Sequence, residues 1–241
     1  MKLVLDNGNT LVKAGVFDKK QLVDVVYSPE LSINFIETVK GKHKDFSKAI
    51  LSSVKEVSDD VISHLKNNFS FVEFSEKTTI PIINLYKTPA TLGRDRLAGV
   101  IGANALYPQE NVLVIDAGTC ITYDLITADK RYIGGSISPG FLIRFNGLHT
   151  FTGKLPLVSL TDFKELTGND TEKSILSGVI NGAVAEMDGI IERYREIYHP
   201  LRVVVCGGDG HFFADRLKSS IFAVPELVLI GLNEILDYNE L

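Results

Sequence analysis

Three short stretches carry residue types that could handle a phosphorylated ligand and a small acidic one. Asp116-Ala117-Gly118-Thr119-Cys120 lies between an apolar run and an alternating run (NVLVIDAGTCITYDLI). Asp6-Asn7-Gly8-Asn9-Thr10 lies between two such runs at the N-terminus (KLVLDNGNTLVKAGVF). Asp6 answers to Asp116 and Gly8 to Gly118 at one constant offset. A glycine in such a turn lets backbone approach a ligand with no Cβ in the way, and successive amides can point at an anion. The carboxylate cannot cradle phosphate, but it can hold the metal ion or water that accompanies a nucleotide. One Asp-x-Gly turn is ordinary hairpin chemistry. Two in register, each after an apolar strand run, point to a duplicated fold whose halves face each other across a polar cleft.

The third stretch is Leu92-Gly93-Arg94-Asp95-Arg96, at the head of a helical pattern that repeats at Leu97, Ile101 and Ala105, with Thr91 in position to cap it. An Asp in a first helical turn is favoured by the helix dipole alone. Here two arginines flank it after a glycine that permits close approach, and Arg96 is a natural fork for a carboxylate or phosphoryl group. Asp95 is a weak base, so in a largely dissociative phosphoryl transfer its task is to orient a hydroxyl and take the proton late.

The elements that must position these stretches follow from periodicity. Strand patterns cover Lys2–Phe17 (two strands), Gln21–Tyr27, Ala49–Ser53 and Phe69–Phe74, with helical spacing over Leu31–Lys40 and from Ser58 to Phe69. Three strands, helix, strand, helix, strand is the ribonuclease-H-like order. Ile80–Thr91 is extended around two prolines, and Gly99 and Gly102 on the next helix imply a second backbone packed close by. The order then repeats: strands at Val112–Asp116, Ile121–Ile126 and about Arg131–Gly134, helix and loop and helix over Phe141–Leu166, a long helix over Glu172–Tyr198, a buried strand Leu201–Cys206 feeding Gly207-Gly208-Asp209-Gly210, and a terminal helix opened by Pro225.

Composition narrows the classes. At 241 residues, 45% hydrophobic and 23% charged, the chain can bury a real core. A net charge of -5 argues against nucleic acid or an anionic membrane as the main partner. The apolar run before Asp6 is too short for a signal-peptide core, and no stretch reads as a membrane span, so a cytoplasmic protein is expected. Cys120 and Cys206 lack metal or redox spacing, and His43, His64, His149, His199 and His211 are scattered. No Gly-x-x-x-x-Gly-Lys-Ser/Thr and no strand-to-helix Gly-x-Gly-x-x-Gly is present, which excludes a P-loop and argues against a dinucleotide fold.

The two Asp-x-Gly turns, the late Gly-Gly and the duplicated order resemble the acetate kinase, sugar kinase, Hsp70 and actin superfamily. Tyr86-Lys87-Thr88-Pro89 with Leu92–Arg96, then Asp116-x-Gly118-Thr119, Gly134-Gly135-Ser136-Ile137-x-Pro139-Gly140 and Thr152-Gly153-Lys154-Leu155-Pro156 narrow the resemblance to the type III pantothenate kinases, over essentially the whole chain. It implies an α/β, duplicated ribonuclease-H-like (actin-like ATPase) fold with lobes at 1–110 and 111–241, each a mixed five-stranded sheet with helices. The implied reaction is ATP-dependent phosphorylation of pantothenate to 4'-phosphopantothenate, the first step towards coenzyme A.

By that pattern Asp6, Asn7, Gly8, Asn9, Thr10, Leu11, Val12 and Lys13 hold the ATP phosphates and a divalent ion (Mg²⁺), with Asp6 as metal ligand. Thr119 contacts ATP, and Asp116 holds a monovalent cation, K⁺ or NH₄⁺. Tyr86, Gly93, Arg94, Asp95 and Arg96 bind pantothenate, with Asp95 as the base. Thr171 contacts substrate from the other subunit of a homodimer whose active site lies at the interface. Gly168-Asn169-Asp170-Thr171 departs from the family's Gly-Thr-Asn-Thr, and Thr171 also stands where a helix N-cap belongs. Cys120 replaces a common Ala, and position 7 varies. The competing readings are a kinase of another small sugar or carboxylate on the same fold and a non-catalytic nucleotide-cleft regulator.

Overall fold

In the computed structural model, which describes residues 1–43 and 45–239, the N-terminal turn is framed by β1 (Lys2–Asn7) and β2 (Val12–Asp18). They pair antiparallel with Asp6 opposite Lys13, and β3 (Gln21–Ser28) extends the meander on β2. α1 (Ile33–Lys42) begins where the Ser32 hydroxyl accepts the Phe35 N–H, and it buries Phe35, Ile36 and Val39. β4 (Lys48–Ser53) runs parallel to β1 with Ser52 beside Asp6; α2 (Asp59–Asn68) and β5 (Ser70–Glu73), parallel to β4, complete the group. Alternate side chains Leu3, Leu5, Val12, Ala14 and Val16 pack against the inner faces of α1 and α2. The period-2 and period-3.6 patterns meet there in one core.

After β6 (Ile83–Asn84) and a single 3₁₀ turn at Pro89–Thr91 comes α3 (Arg94–Leu106). Its N-cap is Gly93, not the expected Thr91, whose hydroxyl is spent on the Thr88 carbonyl at 3.0 Å inside the preceding turn. The second series follows: β7 (Asn111–Ala117), β8 (Cys120–Ile126), β9 (Arg131–Pro139), α4 (Phe141–Thr150), α5 (Thr171–Ile197), β10 (Leu201–Cys206), α6 (Gly210–Ala214), β11 (Phe222–Ala223) and α7 (Leu227–Tyr238). One sheet has the order β3-β2-β1-β4-β5; the other, from its opposite edge, runs β6-β9-β8-β7-β10-β11. Without β6 the second order repeats the first strand for strand, so the duplication inferred from the two turns is a duplication of topology. The second sheet has six strands rather than five because Ile83 and Asn84 pair with Arg131 and Tyr132.

Three expectations change in detail. β9 does not end near Gly134 but continues to Pro139. The second helix expected before Leu166 does not form. Leu155, Val158, Leu160 and Phe163 instead lay an irregular chain against the core, at spacings that fit no helical face. By length and composition α5 could cross a membrane, contrary to the sequence reading. Its Leu176, Val179, Ile180, Ala183, Met187 and Ile191 are nonetheless packed into the core under β7 and β10, which is what an apolar stripe on a core helix does.

By contacts the chain divides into two compact units. One is Met1–Pro108 with Lys130–Tyr132 and the C-terminal segment from Glu226; the other is Gln109–Asp129 with Ile133–Pro225. α7 therefore packs with the N-terminal series although it follows the second series in sequence. Lys2 on β1 pairs with Asp237 on α7, and Asn233 Nδ2 donates to the Lys19 carbonyl at 3.3 Å. α7 crosses α3 where neither helix has a side chain. A Cβ on Gly231 would lie 1.8 Å from the Ala98 carbonyl oxygen, and one on Gly102 would lie 2.4 Å from that of Leu227. Gly231→Ala is accordingly expected to cost about 1–3 kcal/mol by overpacking, read as a lowered urea midpoint. Gly41→Ala, with nothing within 4 Å of the new methyl, should lose nothing.

Candidate active site

In the first unit the end of β4 holds two of the chemical stretches together. Asn7 Nδ2 donates to Ser53 Oγ at 2.8 Å, and the Val54 N–H donates to the Asn7 carbonyl at 3.1 Å, which anchors the turn after β1. Arg94 Nη1 donates to the Ser53 carbonyl at 2.9 Å, which anchors the start of α3. The Gly8 N–H closes the turn on the Leu11 carbonyl at 3.2 Å, leaving Asn9, Thr10 and Leu11 exposed and Asp6 half-buried beside Ser52. In the sequence, Asn7 is one residue of a turn and Ser53 the last of a strand run. Their hydrogen bond gives both a role that no local pattern announces.

At the start of α3, Asp95 Oδ1 accepts the Arg96 N–H at 2.8 Å. A Cβ on Gly93 would stand 2.5 Å from that same oxygen, so the glycine makes room for the carboxylate. Arg96 is buried, with its guanidinium carbon 5.7 Å from the centre of the Tyr86 ring, and Tyr86 stacks on Tyr132 at 6.1 Å and 12°. Sequence neighbours thus diverge. Arg96 is pinned under an aromatic pair; Arg94 is exposed and points along β4. A cavity of about 690 Å³, the size of a small-ligand pocket, opens beside this group. Its lining includes Ser53, Thr91, Gly93 and Arg94, whereas Tyr86, Asp95 and Arg96 are outside it.

In the second unit, backbone grips the Asp116 turn from two sides. The Gly118 N–H donates to the Cys120 carbonyl at 2.9 Å, the Gly140 N–H to Thr119 at 3.1 Å, and the Asp209 N–H to Ala117 at 2.9 Å. A Cβ on Gly140 would lie 2.0 Å from the Gly118 oxygen. Gly207, at φ +87°, would put one 2.4 Å from Asp116 Oδ1. Gly118 has nothing within 4 Å of a built Cβ and Thr119 is exposed, so the turn presents open backbone outward. In the sequence Asp209 stands within the run Gly207-Gly208-Asp209-Gly210. Burial pushes its carboxyl above the usual carboxylate range.

The residues present also bear on the implied ions. Among the described residues no three His, Cys, Asp or Glu side chains converge on a possible metal position. Asp6, half-buried beside Ser52, could offer a divalent ion one carboxylate. Thr122 is the register partner of Asp116 on β8, so both side chains leave the same face of the sheet, and its hydroxyl oxygen is buried without a hydrogen-bond partner. A carboxylate beside an unsatisfied buried hydroxyl is a donor set suited to an alkali cation, which takes oxygen ligands. His43 and His64 are engaged by Asp24 at 2.8 Å and Glu37 at 2.9 Å. Thr171 is not the α5 cap: Asp170 Oδ1 accepts the Lys173 N–H at 2.8 Å, and Thr171, exposed, lines a depression of about 730 Å³ with Leu148, Leu155 and Ile175.

A family model described as type III pantothenate kinase matches residues 2–193. The chain belongs to the type III pantothenate kinase family. A relative from Christiangramia forsetii bearing that description is 44% identical, over 100% of this chain and 99% of that protein. Among solved structures, a protein from Campylobacter jejuni titled as a Baf family transcriptional activator superposes with TM-score 0.60 at 23% identity, covering 98% of each chain. A glucokinase from an Antarctic psychrotroph superposes with TM-score 0.54 at 12% identity, covering 99% of each. These two likenesses establish the shared fold.

The desolvation of Asp209 has a signed consequence. A carboxyl whose folded pKa is raised contributes stability below its unfolded pKa and loses it as pH climbs through the folded value. Asp209→Asn should therefore gain melting temperature over the wild type progressively as pH rises from the unfolded reference near 3.9, until the wild-type carboxyl is ionised in the folded state as well. A difference independent of pH would mean that folding does not raise the Asp209 carboxyl.

Proposed function

We propose that this chain is the phosphotransferase its family is named for, transferring the γ-phosphoryl group of ATP to the terminal hydroxyl of pantothenate. The observation that carries the reading is the start of α3, where Gly93 clears the space for the Asp95 carboxylate and Arg96 is buried against Tyr86. Asp95 orients the acceptor hydroxyl and takes its proton as the bond to phosphorus forms. Arg96, already held by an aromatic face, offers its fork to the pantothenate carboxylate or to the transferring group, with little ordering left to do. Gly93, Arg94 and Tyr86 shape the acceptor side.

Both Asp-x-Gly turns are assigned to the nucleotide. Asp6, Asn7, Gly8, Asn9, Thr10, Leu11, Val12 and Lys13 take the phosphate end, and Thr119 contacts ATP from the second turn. Mg²⁺ at Asp6 offsets phosphate charge, and K⁺ or NH₄⁺ sits at Asp116. The second subunit of a homodimer supplies Thr171. Support for that pairing comes from the outward face of α5, where Ser174, Gly178, Gly182, Ala185 and Gly189 form an exposed small-residue stripe, and from Phe151 and Leu142, left 88% and 62% exposed. We place the enzyme in the cytoplasm, where ATP and pantothenate meet.

The reading is tested by ADP release with pantothenate and a panel of hexoses as acceptors, with potassium exchanged for sodium. Turnover of pantothenate that requires K⁺ or NH₄⁺ is expected; turnover of a hexose but not pantothenate would leave a sugar kinase on the same fold. Asp95→Asn should lower kcat by roughly 10²- to 10⁴-fold with ATP affinity little changed, the range for a positioned acid-base group. Normal turnover in that variant would remove Asp95 from the reaction.

A further inference from the structure

A cluster outside the residues assigned above closes a loop around the nucleotide turn. Arg144, one turn into α4, donates from Nε to the Pro139 carbonyl at 2.7 Å and from Nη2 to Ser138 Oγ at 3.1 Å. The same Nη2 donates to Glu186 Oε2 on α5 at 2.6 Å. The other oxygen of Glu186 accepts the hydroxyl of Tyr123 at 3.1 Å. Tyr123 is fully buried on β8, three residues past Cys120. Ser138 and Pro139 run directly into Gly140, the residue whose N–H bonds the Thr119 carbonyl and whose missing Cβ lets it sit on the turn.

The turn is therefore fastened at both ends to one ion pair. One connection runs through Gly140 and Pro139 to Arg144, the other through β8 and Tyr123 to Glu186. We propose that Arg144 and Glu186 are positioning residues for nucleotide binding, which set Thr119 and the exposed 118–119 backbone through Gly140 without touching ATP themselves.

The chemistry suits a fixed brace. Burial raises the Glu186 carboxyl, but the hydrogen bonds from Arg144 and Ser138 outweigh it and leave the group below the usual carboxylate range. Burial pushes the Tyr123 hydroxyl well up, so it remains a donor at any physiological pH. An arginine is required because only its fork reaches a backbone carbonyl with one nitrogen and a carboxylate with another. The ion pair is mostly buried, so salt screens it less than a surface pair.

The proposal rests on Thr119 contacting ATP, and the experiment separates the two. Mg·ATP binding to the full-length protein is measured by calorimetry, beside KM for ATP and for pantothenate and the melting temperature, in Arg144→Gln, Glu186→Gln, Thr119→Val and Thr119→Val/Arg144→Gln. Glu186→Gln keeps the shape and two hydrogen-bonding atoms, which guards against a variant that merely fails to fold. Arg144→Gln and Glu186→Gln are each expected to weaken ATP binding and raise its KM on the order of tenfold, with KM for pantothenate within about twofold of wild type. The double variant should lose little beyond Thr119→Val. A lower melting temperature with unmoved ATP affinity, or equal weakening of both substrates, would overturn the brace. Unchanged ATP affinity in Thr119→Val would overturn the underlying assignment of the turn, and the brace with it; weakened binding there with Arg144→Gln unmoved would sink the brace alone.

Discussion

Backbone packed on backbone is the constraint from which the rest of the site follows. Around the Asp116 turn, Gly140 and Gly207 come so close that a single methyl group would overlap a carbonyl or the Asp116 carboxylate itself. Such contact fixes a loop more tightly than side-chain packing, because peptide groups have no rotamers to adjust. The same means joins α3 to α7, where Gly102 and Gly231 meet. A loop held in this way can leave Gly118 and Thr119 bare on its outer side and still present them at a defined place, which is what recognition of an anion by amides requires.

The two sheets repeat one topology, and the repeated positions have diverged in charge. Asp6 and Asp116 both end a buried strand, but Asp6 faces Lys13 and Ser52, whereas Asp116 faces Thr122 and Cys206. A lysine and a serine beside the first carboxylate suit a ligand that brings its own negative charge and metal. An unsatisfied hydroxyl beside the second suits a bare cation. The two aspartates thus hold equivalent places in the repeated topology but have different neighbours.

Adjacent residues in the Gly-Arg-Asp-Arg run meet different neighbours because a helix start turns about 100° per residue. Arg94 reaches back to β4, Asp95 folds over its own N-terminus and Arg96 drops beneath Tyr86. Positive charge is therefore distributed between a structural anchor and a buried fork. Cation–π contact with Tyr86 is worth roughly 0.5–2 kcal/mol, enough to bias one orientation of Arg96.

Much of this was legible in the residues alone. Strand and helix periods, the two matched Asp-x-Gly turns and the family resemblance gave the duplicated topology and the family, because burial imposes a repeat on any strand or helix that covers a core. What needed the tertiary structure was every relation with no local period. The Asn7–Ser53 bond and the bonds from Glu186 to Arg144 and Tyr123 join residues 42 to 63 positions apart, and neither the unpartnered Thr122 hydroxyl nor the passing of the cap from Thr171 to Asp170 has a sequence signal. The helix expected after the Thr152–Pro156 loop is absent for the same reason: Val158, Leu160 and Phe163 answer to the core they pack against, not to a period of their own backbone. Sequence sets the period of each element, and only the packed fold decides which side chains meet.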